Sequence, residues 1–334
     1  MSMAVVHGRA RGSRPGEEVP AAVLFLILAA IPLVTSGYVV YILPQYMLYG
    51  ILAMSLALLW GNVGILSFGQ AAFFALGGYA LGIAMKQPLG VNPAYVGLLV
   101  ALAAAALVAG LVGWFLFSAG VRDSYFVLVT LALSIIAEQI AVSQSQWTGG
   151  WNGLFLMRMT LTLGSALEYP LYEDIPAYYA VLLVMVVTYT ALRGLTRSRF
   201  GKILAGIREN ESRMTSLGIS TSLYKTLAFS VSAAVASLSG ALYGMHSGFV
   251  SPSLGGVLFS TEIVVWVAIA GRSSLLAALI GGIAVSSISN LMSAITPQYW
   301  QLCIGILFIV VIAYFRGGVA AALPSLVERF RSQP

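Results

Sequence analysis

The chain has 334 residues, of which 59% are hydrophobic and only 8% are charged. Soluble domains carry about 25% charged residues, so this composition excludes a soluble globular protein and indicates an integral membrane protein. The formal net charge of +6 fits orientation in a membrane with anionic lipid, and it gives no reason to infer nucleic-acid binding.

The apolar segments predict an all-α polytopic membrane protein. Residues 1–18 are basic and too polar for a signal peptide, so we expect a disordered cytoplasmic tail there. Residues 19–318 form the predicted transmembrane domain, and residues 319–334 form a second cytoplasmic tail. A span needs about 20 mostly apolar residues, which gives about ten transmembrane helices. They are placed near 21–42, 45–60, 63–85, 94–119, 124–142, 175 or 176–192, 224–244, 256–270, 274–294 and 298–315.

Two interruptions separate the first three predicted spans. We expect Pro44 to close the first span, whereas only Gly61 and Asn62 separate the second from the third. The second interruption predicts a broken or re-entrant helix. Irregular backbone in a membrane is tolerated only where it is buried in protein or lines a water-filled cavity. Close helix packing at the glycines is the alternative explanation. The candidates for a translocation path here are Gly61, Asn62, Gly64, Ser67 and Gln70.

The middle of the chain contributes two further path candidates. The span near 94–119 is rich in alanine, which indicates tight burial among other helices. Residues 143–174 leave the apolar pattern and are predicted to form an extracytoplasmic segment. Glu138 and Glu262 lie in spans, toward the outer face in the predicted topology, and they are candidates for lining a vestibule. Snorkelling to the interface or a structural hydrogen bond is the alternative for each glutamate.

A polar stretch at 200–218 interrupts the apolar pattern within a predicted coupling loop, residues 194–223. Phe200, Ile203, Leu204 and Ile207 recur at helical spacing and predict a short amphipathic helix. A turn follows, after which Asn210 is suited to cap a second helix and Gly218 to terminate it. The alternative is a solvated cytoplasmic loop that only follows the positive-inside rule.

The distribution of basic residues predicts an orientation. With the N-terminus in the cytoplasm, fifteen of the seventeen Lys and Arg residues lie on the cytoplasmic side, and only Lys86 and Arg158 lie outside. Both termini are then cytoplasmic. This orientation requires an even number of spans on each side of the coupling loop, as predicted here.

Enzymatic chemistry is not indicated by the sequence. There is one cysteine, and there are two histidines, so we expect no metal site and no cysteine-histidine pair. The pattern G-x-x-x-x-G-K-[ST] of a phosphate-binding loop is absent. If ATP drives this protein, we expect the nucleotide site to lie on another polypeptide.

Two stretches resemble the permeases of ABC importers that serve branched-chain amino acids and urea. The coupling stretch departs from the common importer motif at Ser212 and Arg213, which replace two alanines, and at Gly218, which is displaced by one position. The matching stretches are Gly61 to Gln70, Phe73 and Phe74, Gly77 to Tyr79, Gly201, Ala205, Ile207 to Glu211, Leu217, Gly218, Tyr224 and Lys225, and Ala228 and Phe229, with shorter matches at Thr148 to Gly150, at Asn152 to Leu154, and from Ser251 and Pro252 on to Gly271 and Arg272.

The resemblance implies a set of partners and a set of contacts. Two permease subunits, two ABC ATPase subunits that bind ATP and Mg, and an extracytoplasmic solute-binding protein form one importer in a bacterial inner membrane. This chain binds no cofactor itself. In this interpretation the apolar stripe of the coupling helix grips the ATPase, and the charged turn sets the register. The expected coupling residues are Phe200, Ile203, Leu204, Ile207, Arg208, Glu209, Asn210, Glu211 and Gly218.

The predicted function is import of branched-chain or other hydrophobic amino acids, with selectivity residing chiefly in the binding protein. Import of urea or short-chain amides by the same architecture is the alternative, because 263–272 and 211–213 look closer to the urea branch. A secondary transporter or passive channel is the alternative of a different class. Ion-coupled carriers place paired ionisable residues at the bilayer midplane, whereas Glu138 and Glu262 are expected nearer one face.

Overall fold

The computed structural model describes residues 18–35, 37–87, 92–121, 123–156, 160–163, 167–170, 173–300, 302, 305–306 and 309–310. Helices dominate these ranges, and the strands are short. The helices are α1 (Glu18–Val34), α2 (Tyr38–Ala57), α3 (Gln70–Met85), α4 (Pro93–Ser118), α5 (Asp123–Ser143), α6 (Ser145–Thr148), α7 (Asp174–Arg197), α8 (Arg199–Glu209), α9 (Glu211–Ser216), α10 (Thr221–Ser247), α11 (Val257–Ala270) and α12 (Leu275–Ile295). The strands are β1 (Leu154–Phe155), β2 (Thr160–Leu163), β3 (Leu167–Pro170) and β4 (Phe249–Val250).

Six helices in the described ranges are long and apolar enough to cross a membrane. Three shorter apolar helices, α1, α3 and α11, accompany them. The predicted helical, polytopic architecture is therefore confirmed, whereas the count of about ten spans is not. Most of the span predicted near 298–315 lies outside the described residues. The six long segments are Tyr38–Val63, Pro93–Ser118, Ser124–Ser143, Asp174–Arg197, Thr221–Ser247 and Leu275–Ile295.

The prediction that Pro44 closes the first span is wrong. The first helix already ends at Val34, and α2 begins at Tyr38 after Gly37, whose φ is 79°. Glycine adopts a positive φ without the strain that a side chain brings, which allows the chain to turn between the two helices. Pro44 lies buried inside α2 instead. Neighbouring helices compensate the lost backbone bond of a proline within a membrane helix.

Helix α1 is tied to α7 by tyrosine hydroxyl groups. Pro32 lies inside α1 and has no N–H, so the carbonyl of Leu28, four residues earlier, loses its intrahelical donor. The hydroxyl of Tyr178 donates to that carbonyl oxygen at 2.6 Å. Its neighbour Tyr179 donates to the carbonyl oxygen of Ala29 at 3.2 Å. The proline therefore creates an acceptor that α7 satisfies.

The core of the bundle lies where α2, α3 and α10 meet. Gly77 of α3 packs against the backbone of Ser237, and Gly240 of α10 packs against the backbone of Phe74, so these two helices approach closely. Small residues allow such approaches in membrane proteins, where apolar side chains gain little by leaving lipid. An aromatic cluster fills the space between α2, α3, α10 and α11. Its members are Tyr49, Phe74, Tyr243, Phe259 and Trp266.

Residues 143–174 contain short strands that the all-α prediction misses. Strands β2 and β3 form an antiparallel hairpin with Thr160 opposite Pro170. The two-residue strand β1 pairs with β4, which follows α10, with Leu154 opposite Val250. Two-residue strands leave no periodicity to read in a sequence, which is why this pairing is not predictable from the pattern.

We call the end of the bundle that carries α8 the α8 end. The C-terminus of α7, the N-terminus of α10 and the end of α2 meet there, together with the turn between α11 and α12. The segment from Ser143 to Asp174 lies at the opposite end, between the C-terminus of α5 and the N-terminus of α7.

Candidate functional site

Helix α8 is amphipathic, and its apolar stripe faces the bundle. Leu204 and Ile207 are buried at 0% and 3% exposure. Phe200 is half-buried, with its ring 5.6 Å from the ring of Tyr224 at the start of α10. Ile203 is half-buried as well. The stripe thus holds α8 on its own chain through Leu204 and Ile207, and the expected contact of the stripe with an ATPase stays a prediction. The surface left for a partner carries exposed residues such as Lys202 and Glu209.

The second helix of the coupling loop begins and ends where the sequence indicates. The side chain of Asn210 accepts a hydrogen bond from the backbone N–H of Arg213 at 2.9 Å, which caps α9. Gly218 follows α9 with a φ of 81°. All of Asn210, Glu211 and Gly218 are exposed at the α8 end.

Two charges that were expected to face a partner are engaged within the chain. Nη1 of Arg208 donates to the carbonyl oxygen of Gly61 at the end of α2. Oε2 of Glu211 accepts from Nζ of Lys225 at 2.7 Å, and the Lys225 side chain is only 7% exposed. Nζ of Lys225 also lies 5.7 Å from the centre of the Phe117 ring. These contacts fasten the loop to α2 and α10, and Lys225 of α10 in turn contacts α4.

The predicted break between the second and third spans lies a few residues later than expected. Helix α2 continues without interruption through a π-helical turn, Leu58–Val63, which contains Gly61 and Asn62. The helix ends at Gly64, whose φ is 91°, and an extended stretch leads to α3 at Gln70. The prediction that Gly61 and Asn62 interrupt the helix is therefore wrong. Single π-helical turns are frequent at functional sites, and this one lies beside α8.

The polar path candidates after the break are buried and hydrogen-bonded. The side-chain carbonyl of Gln70 accepts from Ser55 Oγ at 3.1 Å, and its amide donates to Ser232 Oγ at 3.0 Å. Ser67 is fully buried, and its Oγ accepts from the backbone N–H of Gly69. These bonds link α2, α3 and α10, as interhelical polar groups do in membrane proteins. The arrangement favours helix packing for Ser67 and Gln70, while Asn62 and Gly64 are more accessible.

Glu138 and Glu262 lie on adjacent elements toward the end opposite α8. Glu138 is half-buried in α5, and its carboxylate lies against Gly256, where a β-carbon would be 2.5 Å from Oε2. Gly256 is the N-cap of α11, so the Glu138 carboxylate is close to the positive end of that helix. Glu262 is half-buried two turns further along α11.

A cavity between α3, α4 and α5 was not expected from the sequence. Its volume is about 400 Å³, and it contains no charged side chain in its lining. Leu76, Val108, Leu133 and Ile136 represent the apolar residues around it. Such a lining offers no charged group to pair with the carboxylate and ammonium groups of an amino acid, and its side-chain hydroxyl groups are those of Tyr79 and Thr148. The expected tight burial of the alanine-rich α4 is found on one face only: Ala101, Ala105 and Ala109 are fully buried, whereas 28% of the apolar window as a whole is inside the chain.

The comparisons with known proteins agree on one family. The family described as branched-chain amino acid transport system / permease component matches residues 38–312. The high-affinity branched-chain amino acid transport system permease protein LivM of Escherichia coli is 27% identical over 325 residues, which cover 91% of this chain and 75% of LivM. The corresponding permease protein BraD of Pseudomonas aeruginosa is 24% identical over 246 residues, covering 70% of this chain and 78% of BraD.

A second type of permease protein from the same kind of system also matches. LivH of Salmonella typhimurium is 22% identical over 285 residues, which cover 81% of this chain and 90% of LivH. No solved structure matches the chain. The family match spans α2 to beyond α12 and includes both α8 and the break at Gly64. The chain is therefore a multi-pass membrane protein that belongs to the family of branched-chain amino acid transport permease components.

Proposed function

We propose that this chain is a permease subunit of an ATP-driven importer that moves branched-chain or other hydrophobic amino acids across a bacterial inner membrane. Its family and the names of its relatives support the transport class and favour amino acids over urea or short-chain amides. They also favour a subunit of a transport system over a free-standing secondary transporter or channel.

The observation that carries the proposal is the way in which α8 is mounted. One face of this helix is buried against the bundle through Leu204 and Ile207, and the other face is exposed at the α8 end. A short helix held in this way is suited to receive a push or pull from a soluble partner. In the proposal the partner is an ABC ATPase subunit, which binds ATP and Mg.

Movement of α8 reaches the spans through its side-chain contacts. The ring contact between Phe200 and Tyr224 and the ion pair between Glu211 and Lys225 lead into α10. Because α10 packs against α3 through close backbone approaches at Gly77 and Gly240, a displacement of α10 carries α3 with it. Rigid movement of packed helices is a common form of alternating access.

The end opposite α8 is proposed to receive the solute-binding protein. Trp147, Trp151 and Phe155 are all more than half exposed there, at 53%, 76% and 76%. Exposed aromatic residues are enriched in protein interfaces. In this proposal Glu138 and Glu262 lie close to the entrance, where the substrate leaves the binding protein. A second homologous permease and lipid cover the exposed apolar faces of the bundle.

The proposal is tested with the complete importer in proteoliposomes that contain ATP and Mg. We expect leucine uptake that requires the ATPase, ATP and the binding protein, with little uptake of urea or acetamide. Uptake by the permease alone and without ATP would contradict the proposal. Preferential uptake of urea would keep the architecture but overturn the proposed substrate.

A charge reversal on the exposed face of α8 tests the docking surface. We expect Glu209→Lys to lower ATP-driven uptake about tenfold, which corresponds to a loss of roughly 1.4 kcal/mol in the binding free energy between α8 and the ATPase. Association of the ATPase with the permease is measured beside uptake. The control is Glu173→Lys, an exposed glutamate at the opposite end of the bundle, which should leave association with the ATPase unchanged whatever its effect on the binding protein. Equal association of the ATPase with both variants would show that the ATPase does not use this face of α8.

A further inference from the structure

We propose that Arg208 is a positioning residue that joins α8 to the end of α2, so that the coupling helix controls the chain break at Gly64. The inference rests on the proposed function, because it assumes that a partner moves α8. It gives Arg208 a different role from a contact with that partner. The guanidinium acts inside the permease and transmits the movement.

The end of α2 needs a donor, and Arg208 supplies it. The last carbonyl groups of a helix have no intrahelical N–H to accept from. In the described part of the chain, no backbone N–H after the π-helical turn donates to the carbonyl of Gly61. Nη1 of Arg208 does so from 147 residues away in the sequence. A cation at the carbonyl end of a helix is also favoured by the helix dipole.

The backbone around this bond is shaped to admit the Arg208 side chain. A β-carbon on Gly64 would lie 2.9 Å from Cγ of Arg208, and the φ of 91° at Gly64 already disfavours any side chain there. Gly61 is packed against the backbone carbonyl of Arg272, in the turn between α11 and α12, where a β-carbon has no room. Cζ of Arg272 lies 5.4 Å from the centre of the Trp60 ring. The end of α2 is thus held from two sides.

The attachments of α8 lie on both sides of the break. Arg208 holds the end of α2, before Gly64. Phe200 of α8 and Glu211 of α9, which directly follows α8, hold the start of α10, to which α3 is bonded through Gln70 and Ser232. A movement of α8 relative to the bundle therefore changes the separation between the end of α2 and the pair α3 and α10. Gly64 is exposed and contacts the Arg208 side chain, and its backbone can absorb that change.

The test compares Arg208→Ala with Arg199→Ala, a control that removes an exposed charge from the start of the same helix. Both variants are reconstituted as complete importers, and ATP hydrolysis and leucine uptake are measured together. We expect Arg208→Ala to change the rate of ATP hydrolysis by less than about twofold. The number of leucine molecules transported per ATP should fall about tenfold, which is the size of a lost hydrogen bond to a charged group. Arg208→Lys keeps a hydrogen-bond donor and should restore part of the ratio of leucine transported to ATP hydrolysed. The control should leave it unchanged.

A distance measurement separates transmission from a loss of structure. Spin labels at Asn62→Cys and Leu223→Cys, in a Cys303→Ser background, report the separation between the end of α2 and α10. We expect ATP to change this distance with Arg208 present and not in Arg208→Ala. The inference alone is overturned if Arg208→Ala transports as many leucine molecules per ATP as the unmutated importer. It is also overturned if ATP changes the distance in Arg208→Ala by as much as it does with Arg208 present. Absence of ATP-driven uptake with Arg208 present overturns the proposed function, and the inference with it.

Discussion

Two apolar segments of the bundle differ in burial: the segment that contains α2 lies inside the bundle, and the segment in α5 lies at its surface. Of the most apolar window in Tyr38–Val63, 83% is buried inside the chain, whereas only 22% is buried in Ser124–Ser143. The more hydrophobic of the two is the exposed one. Because lipid is as apolar as a leucine side chain, hydrophobicity does not decide which helix lies in the centre of a membrane protein.

The contacts that do decide it are close approaches and interhelical hydrogen bonds. On α2, Gly50 lies against Gly282 of α12, and the carbonyl oxygen of Leu48 accepts from Ser239 of α10 at 2.6 Å. On α5, residues such as Leu128 and Ile140 are more than half exposed and face outward. Helix α2 is therefore held in the centre by close packing and hydrogen bonds, whereas the outer face of α5 is available for contact with lipid or a second subunit.

The largest effect should come from a truncation that tests packing directly. Leu52 of α2 is completely buried, and Leu128 of α5 is 61% exposed. We expect Leu52→Ala to lower the free energy of unfolding by about 3 kcal/mol, because the cavity loses packing contacts that lipid does not replace. Leu128→Ala should change it by less than about 0.5 kcal/mol. Equilibrium unfolding in mixed micelles measures both, and similar losses would break the comparison.

An added methyl group should destabilise the protein at a tightly packed glycine but not at a glycine with room beside it. A β-carbon on Gly282 would lie 2.7 Å from Cα of Gly50 in α2, whereas one on Gly110 of α4 meets only Ser230 Oγ at 3.3 Å. We expect Gly282→Ala to destabilise the protein by about 2 kcal/mol through overpacking. Gly110→Ala should be neutral or stabilising by up to about 1 kcal/mol, because alanine is the better helix former. Thermal unfolding of the purified permease tests this, and a lower midpoint for both would count against it.

The smallest effect concerns the polar bonds of the core. Gln70→Leu removes the two side-chain bonds to Ser55 and Ser232, and we expect a loss of about 1 kcal/mol, the usual size for such bonds in membrane proteins. The matched change Gln139→Leu lies on the exposed face of α5 and should have no measurable effect on stability. A stable Gln70→Leu variant that no longer transports would return Gln70 to the path candidates.

Local patterns in the sequence predicted the local structure well. The stripe from Phe200 to Ile207, the cap at Asn210 and the terminating Gly218 depend on neighbours within a few residues, and the structure has two helices with this cap and this terminus. The bonds that Arg208 and Glu211 make within the chain were not predictable. Their partners are 147 and 14 residues away, and an isolated charge in a sequence does not reveal its partner.

Backbone breaks were predicted less accurately than helices. Proline and glycine mark possible turns, but Pro44 is accommodated inside α2 and the turn lies at Gly37, while the helix passes Gly61 and ends at Gly64. Which of several candidate residues takes the turn depends on packing from other helices, for example the Arg272 carbonyl beside Gly61. That information is not local in the sequence.

The bond between Tyr178 and Leu28 makes two distant positions of the chain depend on each other. If Pro32 were replaced by leucine, the first helix would regain its own N–H donor, and the phenol would compete for an acceptor already in use. If Tyr178 were replaced by phenylalanine instead, a carbonyl in hydrocarbon would have no donor at all. The double replacement removes both problems. Homologous sequences should therefore exchange these two residues together.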